Sequence, residues 1–368
     1  MMIYFDHNAT TPIDTRVLDA MLPFLKLFYG NPSSLYRQGR LVRTAIDTAR
    51  EQVAALINVQ PAQIIFTSGG TEANNLALTA VNSRAKIAIS AIEHPSVSEP
   101  AQRLQSQRGQ LQLINVDSNG VIRPEEITAL CRAKPDFVSL MLANNETGVI
   151  QDIANHAHPL AEQGIIVHTD AVQAIGKIPV DFTQLGVQLM SLSSHKIYGP
   201  KGCGALVIDK KVSLTPMILG GGQEQGCRAG TENVAAIVGF GKAAELAGAE
   251  IAQRHTYLRQ LRDLLESQLM AIPAIQIFAQ KVDRLPNTVQ FGVAGQDGEM
   301  LLMKLDRKGI AVSSGSACAS GGGKSSPVLT AMGVDEATAK SAIRVSVGMA
   351  NTETEVNEFI NQLKSLIN

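Results

Sequence analysis

A lysine follows directly on a buried strand and a turn of small residues. The apolar run 187–192 leads into residues 193–195, and Lys196 comes next, just before a Gly-Pro turn at 199–200. A lysine amine becomes a nucleophile when burial or a neighbouring cation lowers its pKa, and the end of a buried strand offers such surroundings. Lys196 is therefore a candidate anchor for a cofactor, although many lysines beside such turns are solvated surface residues.

A second candidate site is the segment 67–75, where Gly69, Gly70 and Thr71 stand at the predicted start of a helix. The free N–H groups at a helix N-terminus and the helix dipole bind phosphate, glycine allows close approach, and Thr71 adds a hydroxyl. A capped strand-to-helix turn without any ligand uses the same residue types. The segment is not a Walker loop, because no G-K-[ST] follows.

Polar side chains also follow other predicted strands of the chain. They are His94, Asn145, Asp170 and Gln173. Because the carboxyl ends of parallel strands lie at one edge of a sheet, we expect these groups to meet Thr71 and Lys196 in one cleft. There Asp170 could stay ionised beside a protonated ring nitrogen, and His94 could lie against a flat ring or move protons. Singly, each could also be a helix cap or a hydrogen-bonded loop residue.

A cysteine in a run of small residues is the other reactive group. The glycines of the run 313–326 would let the thiol of Cys318 enter a cleft and leave it again. An accessible thiol is open to oxidation, and alanine or serine would serve a plain loop as well. Cys227 stands in a similar run, so flexibility alone does not single out Cys318. Cys131 and Cys203 are interpreted as packed thiols, and no C-x-x-C pair indicates a disulfide framework or structural zinc.

The overall composition excludes several classes of function. The 368 residues include 32 Lys and Arg against 33 Asp and Glu, a net charge of -1, so no general field recruits nucleic acid or an anionic membrane. We see neither a secretory leader nor a membrane-spanning stretch, and expect a reducing cytoplasm. His156 and His158 lie two residues apart and would not face together on a helix, so no metal site is predicted.

Seven apolar runs alternate mostly with helix-like segments, which predicts an α/β fold with a mainly parallel sheet covered on both faces. The runs are 64–66, 87–90, 111–116, 137–142, 165–168, 188–192 and 205–208. We expect the last two to be neighbours joined by a short turn.

After a long helical stretch at 231–270, the pattern changes to that of a small α+β domain. Its predicted strands are 287–291, 311–313 and 343–347, and its predicted helices are 298–307, 327–332 and 352–367. We therefore expect a large domain of residues 15–255 and a small domain of residues 1–14 with 256–368, which carries Cys318.

Taken together, these motifs resemble those of the cysteine desulfurases, pyridoxal-phosphate enzymes of the class V aminotransferase group with fold type I. The resemblance covers nearly the whole chain. The segments that carry it are 6–12, 30–34, 68–75, Glu93-His94, 144–148, Asp170 with Gln173, 193–196, 221–224, 228–231 and 313–318.

The resemblance implies how the cofactor would be held. Lys196 would bind pyridoxal 5'-phosphate through an imine and afterwards carry a proton between the substrate and the cofactor. Asp170 would pair with the ring nitrogen, Gln173 with the ring hydroxyl, and His94 would stack on the ring. The phosphate would be bound by Gly70, Thr71, Ser193, His195 and, from the second subunit of a homodimer, Thr231.

The resemblance also implies the reaction. Arg344 and Asn145 would bind the carboxylate of L-cysteine, with Asn145 also beside the cofactor. Cys318 would then take the substrate sulfur as a persulfide and leave alanine. The length of its loop is similar to the branch that supplies iron-sulfur scaffolds and tRNA-thiolating enzymes.

Two departures from the family pattern and three rival functions remain. Tyr36 stands where the family often has histidine, and residues 322–327 replace a common Leu-Glu-Pro segment, which puts the sulfur acceptor in doubt. A cystine or selenocysteine lyase, or an aminotransferase, would use Lys196 without requiring Cys318. A non-catalytic adaptor of sulfur transfer would keep only the fold.

Overall fold

The computed structural model describes residues 2–314 and 325–367. A seven-stranded sheet lies at its centre, in the order β2-β8-β7-β6-β5-β3-β4. The strands of the described chain are β1 (Ile3–Tyr4), β2 (Ile64–Thr67), β3 (Lys86–Ser90), β4 (Gln110–Ile114), β5 (Phe137–Ser139), β6 (Ile166–Asp170), β7 (Leu189–Ser193), β8 (Gly204–Ile208), β9 (Ile275–Ile277), β10 (Thr288–Val293), β11 (Ile310–Ala311) and β12 (Ala342–Ser346). All seven predicted strands of the sheet are confirmed.

Only one strand of this sheet runs against the others. Strand β8 is antiparallel to both of its neighbours, β7 and β2, whereas the remaining pairs are parallel. Strand β2 therefore points the same way as β7, and its carboxyl end reaches the same sheet edge. The expected neighbours β7 and β8 are confirmed, and the α/β fold class with them.

Helices cover both faces of the sheet. In the described chain they are α1 (Thr15–Lys26), α2 (Arg37–Leu56), α3 (Gly70–Ala77), α4 (Pro95–Ser106), α5 (Pro124–Ala133), α6 (Ile153–Glu162), α7 (Phe182–Leu185), α8 (Val234–Met270), α9 (Gly298–Arg307), α10 (Pro327–Ala331), α11 (Glu336–Lys340) and α12 (Glu353–Ile367). Within the described residues, none is long and apolar enough to cross a membrane.

Alternate side chains of a strand enter different apolar clusters. In β2, Ile64 and Phe66 join the cluster that contains Phe240 of α8, whereas Ile65 joins the cluster that contains Leu76 of α3. Burial on both faces explains why the strands have continuous apolar runs rather than alternating ones.

A third apolar cluster belongs to the C-terminal part of the chain. Its residues come from the N-terminal segment, the second half of α8 and the elements after it, for example Phe5, Leu261, Val289, Phe291 and Phe359. Strand β10 lies between β12 and β9, antiparallel to both, and β1 pairs with β11. Strands β1 and β9 were not predicted, since they have only two and three residues.

Helix α8, 37 residues long, reaches from the sheet to the C-terminal cluster. Where it crosses α2, a glycine allows the two backbones to approach: a Cβ placed on Gly241 would lie 2.5 Å from Ala49 Cα. Gly248, two turns further along the same face of α8, would meet only Leu56 Cδ1 at 3.7 Å. These two glycines of one helix therefore differ in their tolerance of a side chain.

We predict that Gly241→Ala lowers the stability of the fold by about 1–3 kcal/mol, because the added methyl group forces α2 and α8 apart. Gly248→Ala should instead raise stability by about 0.5–1 kcal/mol, since alanine favours the helix. Urea unfolding followed by circular dichroism measures both. Equal effects of the two substitutions would contradict the close crossing of α2 and α8.

Candidate active site

The carboxyl ends of β6 and β7 form the centre of the candidate site. Asp170 is the last residue of β6, and in the parallel pairing it lies opposite Ser191 of β7. Strand β7 ends at Ser193, and the chain then makes a single helical turn, Ser194–Lys196. Adjacent parallel strands thus bring the predicted acid and the predicted lysine to one edge.

Lys196 is half-buried, and the N-terminal segment of the chain lies against it. Its Nζ donates to the main-chain carbonyl of Ala9 at 2.7 Å and to that of Asn8. Thr11 braces the same turn, because its N–H and its hydroxyl both donate to the carbonyl of His195 at 3.0 and 2.9 Å. The amine is therefore held in a defined place by main-chain atoms.

Asp170 and Gln173 lie beside this lysine. The buried carboxylate of Asp170 accepts the N–H of Val172 at 2.9 Å and an amide N–H of Asn74 at 2.7 Å. Gln173 donates through Nε2 to the carbonyl of Asn8 at 2.9 Å, the same oxygen that Lys196 contacts. The structure therefore brings these three predicted residues together.

His94 forms the N-cap of α4. Its Nδ1 accepts the N–H of Ser96 at 3.1 Å and lies 2.7 Å from the hydroxyl oxygen of Ser96. Burial lowers the pKa of His94; the charge of Asp170 opposes this effect and that of Lys196 adds to it. A neutral imidazole therefore belongs to this site at neutral pH.

An unpaired hydroxyl marks the candidate phosphate cradle. The hydroxyl of Ser193 is buried and has no partner among the described residues. A Cβ placed on Gly70, the first residue of α3, would lie 3.6 Å from Ser193 Cβ, so the helix N-terminus and this hydroxyl are neighbours. An orphaned O–H beside free helix N–H groups fits an anionic group such as phosphate.

His195 and Thr71 flank this cradle. Nδ1 of His195 lies 3.1 Å from the hydroxyl oxygen of Thr10, and burial followed by the charge of Lys196 lowers the pKa of His195 to about 4. The imidazole is thus neutral and has one N–H to donate. Thr71 is exposed at the second position of α3.

Arg344 and Asn145 meet at the other side of the cleft. Arg344, fully buried on β12, donates through Nη1 to the carbonyl of Asn145 at 3.1 Å and through Nη2 to Asp6 Oδ1 at 2.6 Å. The guanidinium is held in one plane from two sides. The forked geometry of arginine suits a carboxylate.

Cys318 lies outside the described residues, but residues on either side of its segment are described. The main chains of Ser313 and Arg344 exchange both hydrogen bonds, at 3.1 and 2.7 Å. Ser326 donates its hydroxyl to Glu146 Oε2 at 2.5 Å. The described residues before the segment of Cys318 therefore lie beside Arg344, and those after it lie beside Glu146, the neighbour of Asn145 in sequence.

Thr231 is exposed and is not joined to the sheet-edge residues by any hydrogen bond of the described structure. Its Gly-rich segment is nevertheless fixed at two points. Glu224 accepts a bidentate pair from Arg50 at 2.7 and 2.9 Å, and Arg228 donates to Glu72 of α3 at 3.0 Å. Within one chain, the described structure does not connect Thr231 to the other candidate residues.

Sequence reasoning gave no role to Asn8, Asn74 and Lys177, all of which are buried at the site. Lys177 donates to Gln173 Oε1 at 2.7 Å and to Asn8 Oδ1 at 3.1 Å. Its position four residues after Gln173 was the available signal, because residues at that spacing share a helical face. Asn8 and Asn74 stood in motifs that had been noted, but nothing in the sequence showed what their side chains contact.

Metal binding gains no support in residues 2–314 and 325–367, where no cluster of three or more His, Cys, Asp or Glu could hold an ion. His156 is buried on α6, and His158 lies 3.2 Å from the carbonyl oxygen of Gln184.

Among curated proteins, the chain is 42% identical over 371 residues to a cysteine desulfurase IscS of Dictyoglomus turgidum, covering 99% of this chain and 94% of that protein. It is 40% identical over 371 residues to a cysteine desulfurase of Nostoc sp., covering 100% and 93%.

Solved structures agree with these relatives. A NifS-like protein superposes with a TM-score of 0.93 at 38% identity, covering 100% of this chain and 99% of the other. A NifS-like protein from Rickettsia africae gives a TM-score of 0.92 at 36% identity, covering 100% and 99%. The family model described as aminotransferase class-V matches residues 3–359. The chain therefore belongs to the class-V aminotransferase family, as the sequence motifs predicted.

Proposed function

We propose that the protein is a pyridoxal-phosphate-dependent cysteine desulfurase, which converts L-cysteine to L-alanine and takes up the sulfur as a persulfide on Cys318. One observation carries the proposal: the residues that flank the segment of Cys318 bond to Arg344 and Glu146, at the cleft that contains Lys196 and Asp170. The names of the relatives support the same activity.

The residues present fit pyridoxal phosphate. The unpaired hydroxyl of Ser193, the start of α3 at Gly70 and Thr71, and the neutral ring of His195 form a set of donors for a phosphate. Asp170 has lone pairs left to accept a ring N–H, since each of its oxygens accepts one hydrogen bond.

The cofactor, when bound, withdraws electrons from the α-carbon of an amino acid attached to it. Lys196 would hold it covalently and, after displacement by the substrate, would carry a proton at Nζ. Gln173 Nε2 would donate to the ring hydroxyl, and the neutral imidazole of His94 would lie against the ring and exchange a proton. Burial of Asp170 keeps water from its carboxylate.

Arg344 and Asn145 bind the carboxylate of the substrate. Asp6 and the carbonyl of Asn145 already fix the guanidinium plane, so little rotamer freedom is lost when a carboxylate binds. Asn145 would also contact the cofactor. Because Arg344 pairs with Ser313, a carboxylate on Arg344 would place the substrate beside Ser313, the described residue that precedes the segment of Cys318.

Transfer of sulfur from L-cysteine to the enzyme conserves both atoms and electrons. The thiolate of Cys318 attacks the substrate sulfur, an S–S bond forms, and the C–S bond breaks with its electron pair staying on the substrate. Protonation of that carbon gives alanine, and the enzyme keeps a persulfide. L-cysteine and one enzyme thiol thus give L-alanine and one enzyme persulfide, with no external oxidant.

We further propose that the persulfide sulfur passes to an acceptor protein of iron-sulfur assembly or tRNA thiolation, in a reducing cytoplasm that keeps Cys318 a thiol. The division into a large domain of residues 15–255 and a small domain of residues 1–14 with 256–368 is supported by the separate C-terminal apolar cluster, whose residues include Phe5, Leu258 and Leu363.

A homodimer is the proposed assembly, with Thr231 reaching the phosphate of the partner subunit. It is supported by large apolar side chains that are exposed in one chain, among them Tyr29 at 81%, Leu35 at 86% and Leu219 at 82%. Large apolar side chains that are this exposed in one chain are typical of surfaces that a partner covers.

Ser193→Ala should weaken equilibrium binding of pyridoxal phosphate by about 10- to 100-fold, because one donor to a charged group is lost. The matched control is Ser194→Ala, since the hydroxyl of Ser194 is also buried and unpartnered in the described structure but is not assigned to the phosphate. Absorbance titration of the cofactor-free protein measures both. Equal losses in the two variants would disprove the cradle.

Cys318→Ala should lower alanine production from cysteine by several orders of magnitude, while cofactor absorbance stays normal, because the sulfur has lost its nucleophile. Mass spectrometry should find added sulfur on Cys318 of the unmodified protein. Cys227→Ala, in the other Gly-rich run, should keep the wild-type rate. A Cys318→Ala variant with full activity under reductant would indicate a lyase instead.

Light scattering should give the mass of two 39.2 kDa chains at micromolar concentration. Leu35→Asp should shift the protein toward a monomer, because a charge is then buried at the interface. Leu113→Asp, on the edge strand β4, should not; Leu113 is 55% exposed and lies outside the proposed interface. A monomeric wild-type protein would refute the assembly and the role of Thr231.

A further inference from the structure

One buried amide connects the two residues that would contact the ring of the cofactor. The side chain of Asn74, on α3, is 1% exposed. Its Nδ2 donates one N–H to Asp170 Oδ2 at 2.7 Å and the other to Ser96 Oγ at 2.8 Å. Ser96 Oγ in turn lies 2.7 Å from His94 Nδ1. Four side chains thus form a continuous chain of hydrogen bonds from β6 through α3 to α4.

The direction of each hydrogen bond in this chain is determined. An ionised carboxylate only accepts, so Asp170 requires the nitrogen rather than the oxygen of the Asn74 amide to face it. The same nitrogen has its second proton aimed at Ser96, whose oxygen therefore accepts. At the other end, His94 Nδ1 accepts the main-chain N–H of Ser96 at 3.1 Å and so bears no proton. The hydroxyl of Ser96 must donate to it.

We propose that Asn74 is a positioning residue of the active site: it couples the Asp170 carboxylate to the tautomer of His94, so that His94 stays neutral with its proton on Nε2. The consequence for catalysis rests on the proposed function, but the tautomer of His94 does not. A neutral ring with a fixed N–H can lie on a cationic cofactor ring and still offer one proton in a defined direction.

The charges around His94 agree with this assignment. Asp170 faces it from β6 and favours the imidazolium, Lys196 faces it from the turn after β7 and disfavours it, and burial disfavours it most. Glu93, the preceding residue, is buried, and burial followed by the charge of Asp170 raises its pKa well above the usual value, which favours the neutral acid beside His94. The donor from Ser96 then adds to burial in favour of the neutral ring.

Nitrogen-15 NMR of the histidine rings tests the proposal in the full-length protein, without and with pyridoxal phosphate. The signals of His94 are assigned by their loss in His94→Gln. We expect a neutral ring with the proton on Nε2 in the wild-type protein. In Asn74→Ala the pKa of His94 should rise by about half to one unit, because Ser96 is no longer held as a donor to Nδ1.

Two further variants separate this effect from a general loss of structure. Ser96→Ala removes the hydroxyl but keeps the main-chain donor, and should raise the pKa of His94 to a similar extent. Asn75→Ala is the matched control, because among the described residues the Asn75 amide donates only to the carbonyls of Thr71 at 2.9 Å and Ser96 at 3.3 Å. It should leave His94 unchanged.

In the loaded enzyme, the acidic limb of the pH profile of kcat/KM should move to higher pH by the same amount in both Asn74→Ala and Ser96→Ala. Only Asn74→Ala should also weaken cofactor binding, since it alone removes a donor from Asp170. An unchanged His94 in Ser96→Ala, or an equal shift in Asn75→Ala, would overturn the proposal. A protein that never binds the cofactor would refute the proposed function and leave the NMR result decisive for Asn74.

Discussion

The buried side chain and main chain of Asn8 join the sheet edge to the C-terminal part of the chain. Its N–H, its carbonyl and both ends of its amide are hydrogen-bonded. The partners are Ser346, Gln173, Lys196, Lys177, Asn287, Thr288 and Asn145. Leaving a buried polar group unpaired costs about 1–3 kcal/mol, so any shift of one partner set against the other would break several such bonds at once. The geometry of the site therefore depends on this one residue.

Basic side chains crowd around that residue. Burial, then the charges of Lys196 and Arg344, lower the pKa of Lys177 well below its usual value, and burial with the charge of Lys177 lowers that of His7 to about 4. An anion in this desolvated cleft would favour the charged forms of these basic groups, so the cleft suits ligands that carry negative charge. A phosphate and a carboxylate are such groups, and the proposed cofactor and substrate each carry one of them.

The strands of the sheet could be predicted from the sequence, but the hydrogen bonds of Asn8 and Asn74 at the site could not. Long apolar runs identify strands buried on both faces, and the polar residues at their ends identified Asp170, Gln173 and Lys196. The last two donate to the carbonyl of Asn8. The contacts of Asn74 could not be predicted, because they join α3, α4 and β6 across 22 and 96 residues. Such contacts depend on packing angles that no local pattern encodes. The strands β1 and β9 were not predicted, because two and three residues are too few to show a periodic pattern.

The neighbouring acids Glu93 and Asp170 are distinguished by their donors. Asp170 accepts two N–H bonds, from Val172 and Asn74, whereas Glu93 accepts the N–H of Met141 at 2.6 Å and leaves its second oxygen unpaired in the described structure. Burial, then the charge of Asp170, raise the pKa of Glu93 well above its usual value, which favours the neutral acid at that position. The two carboxyl groups of one apolar region therefore differ in how many N–H donors reach them. Since Asn74 supplies one of the two donors to Asp170 and also donates to Ser96, which contacts His94, this one amide connects the acid at the end of β6 to the imidazole at the start of α4.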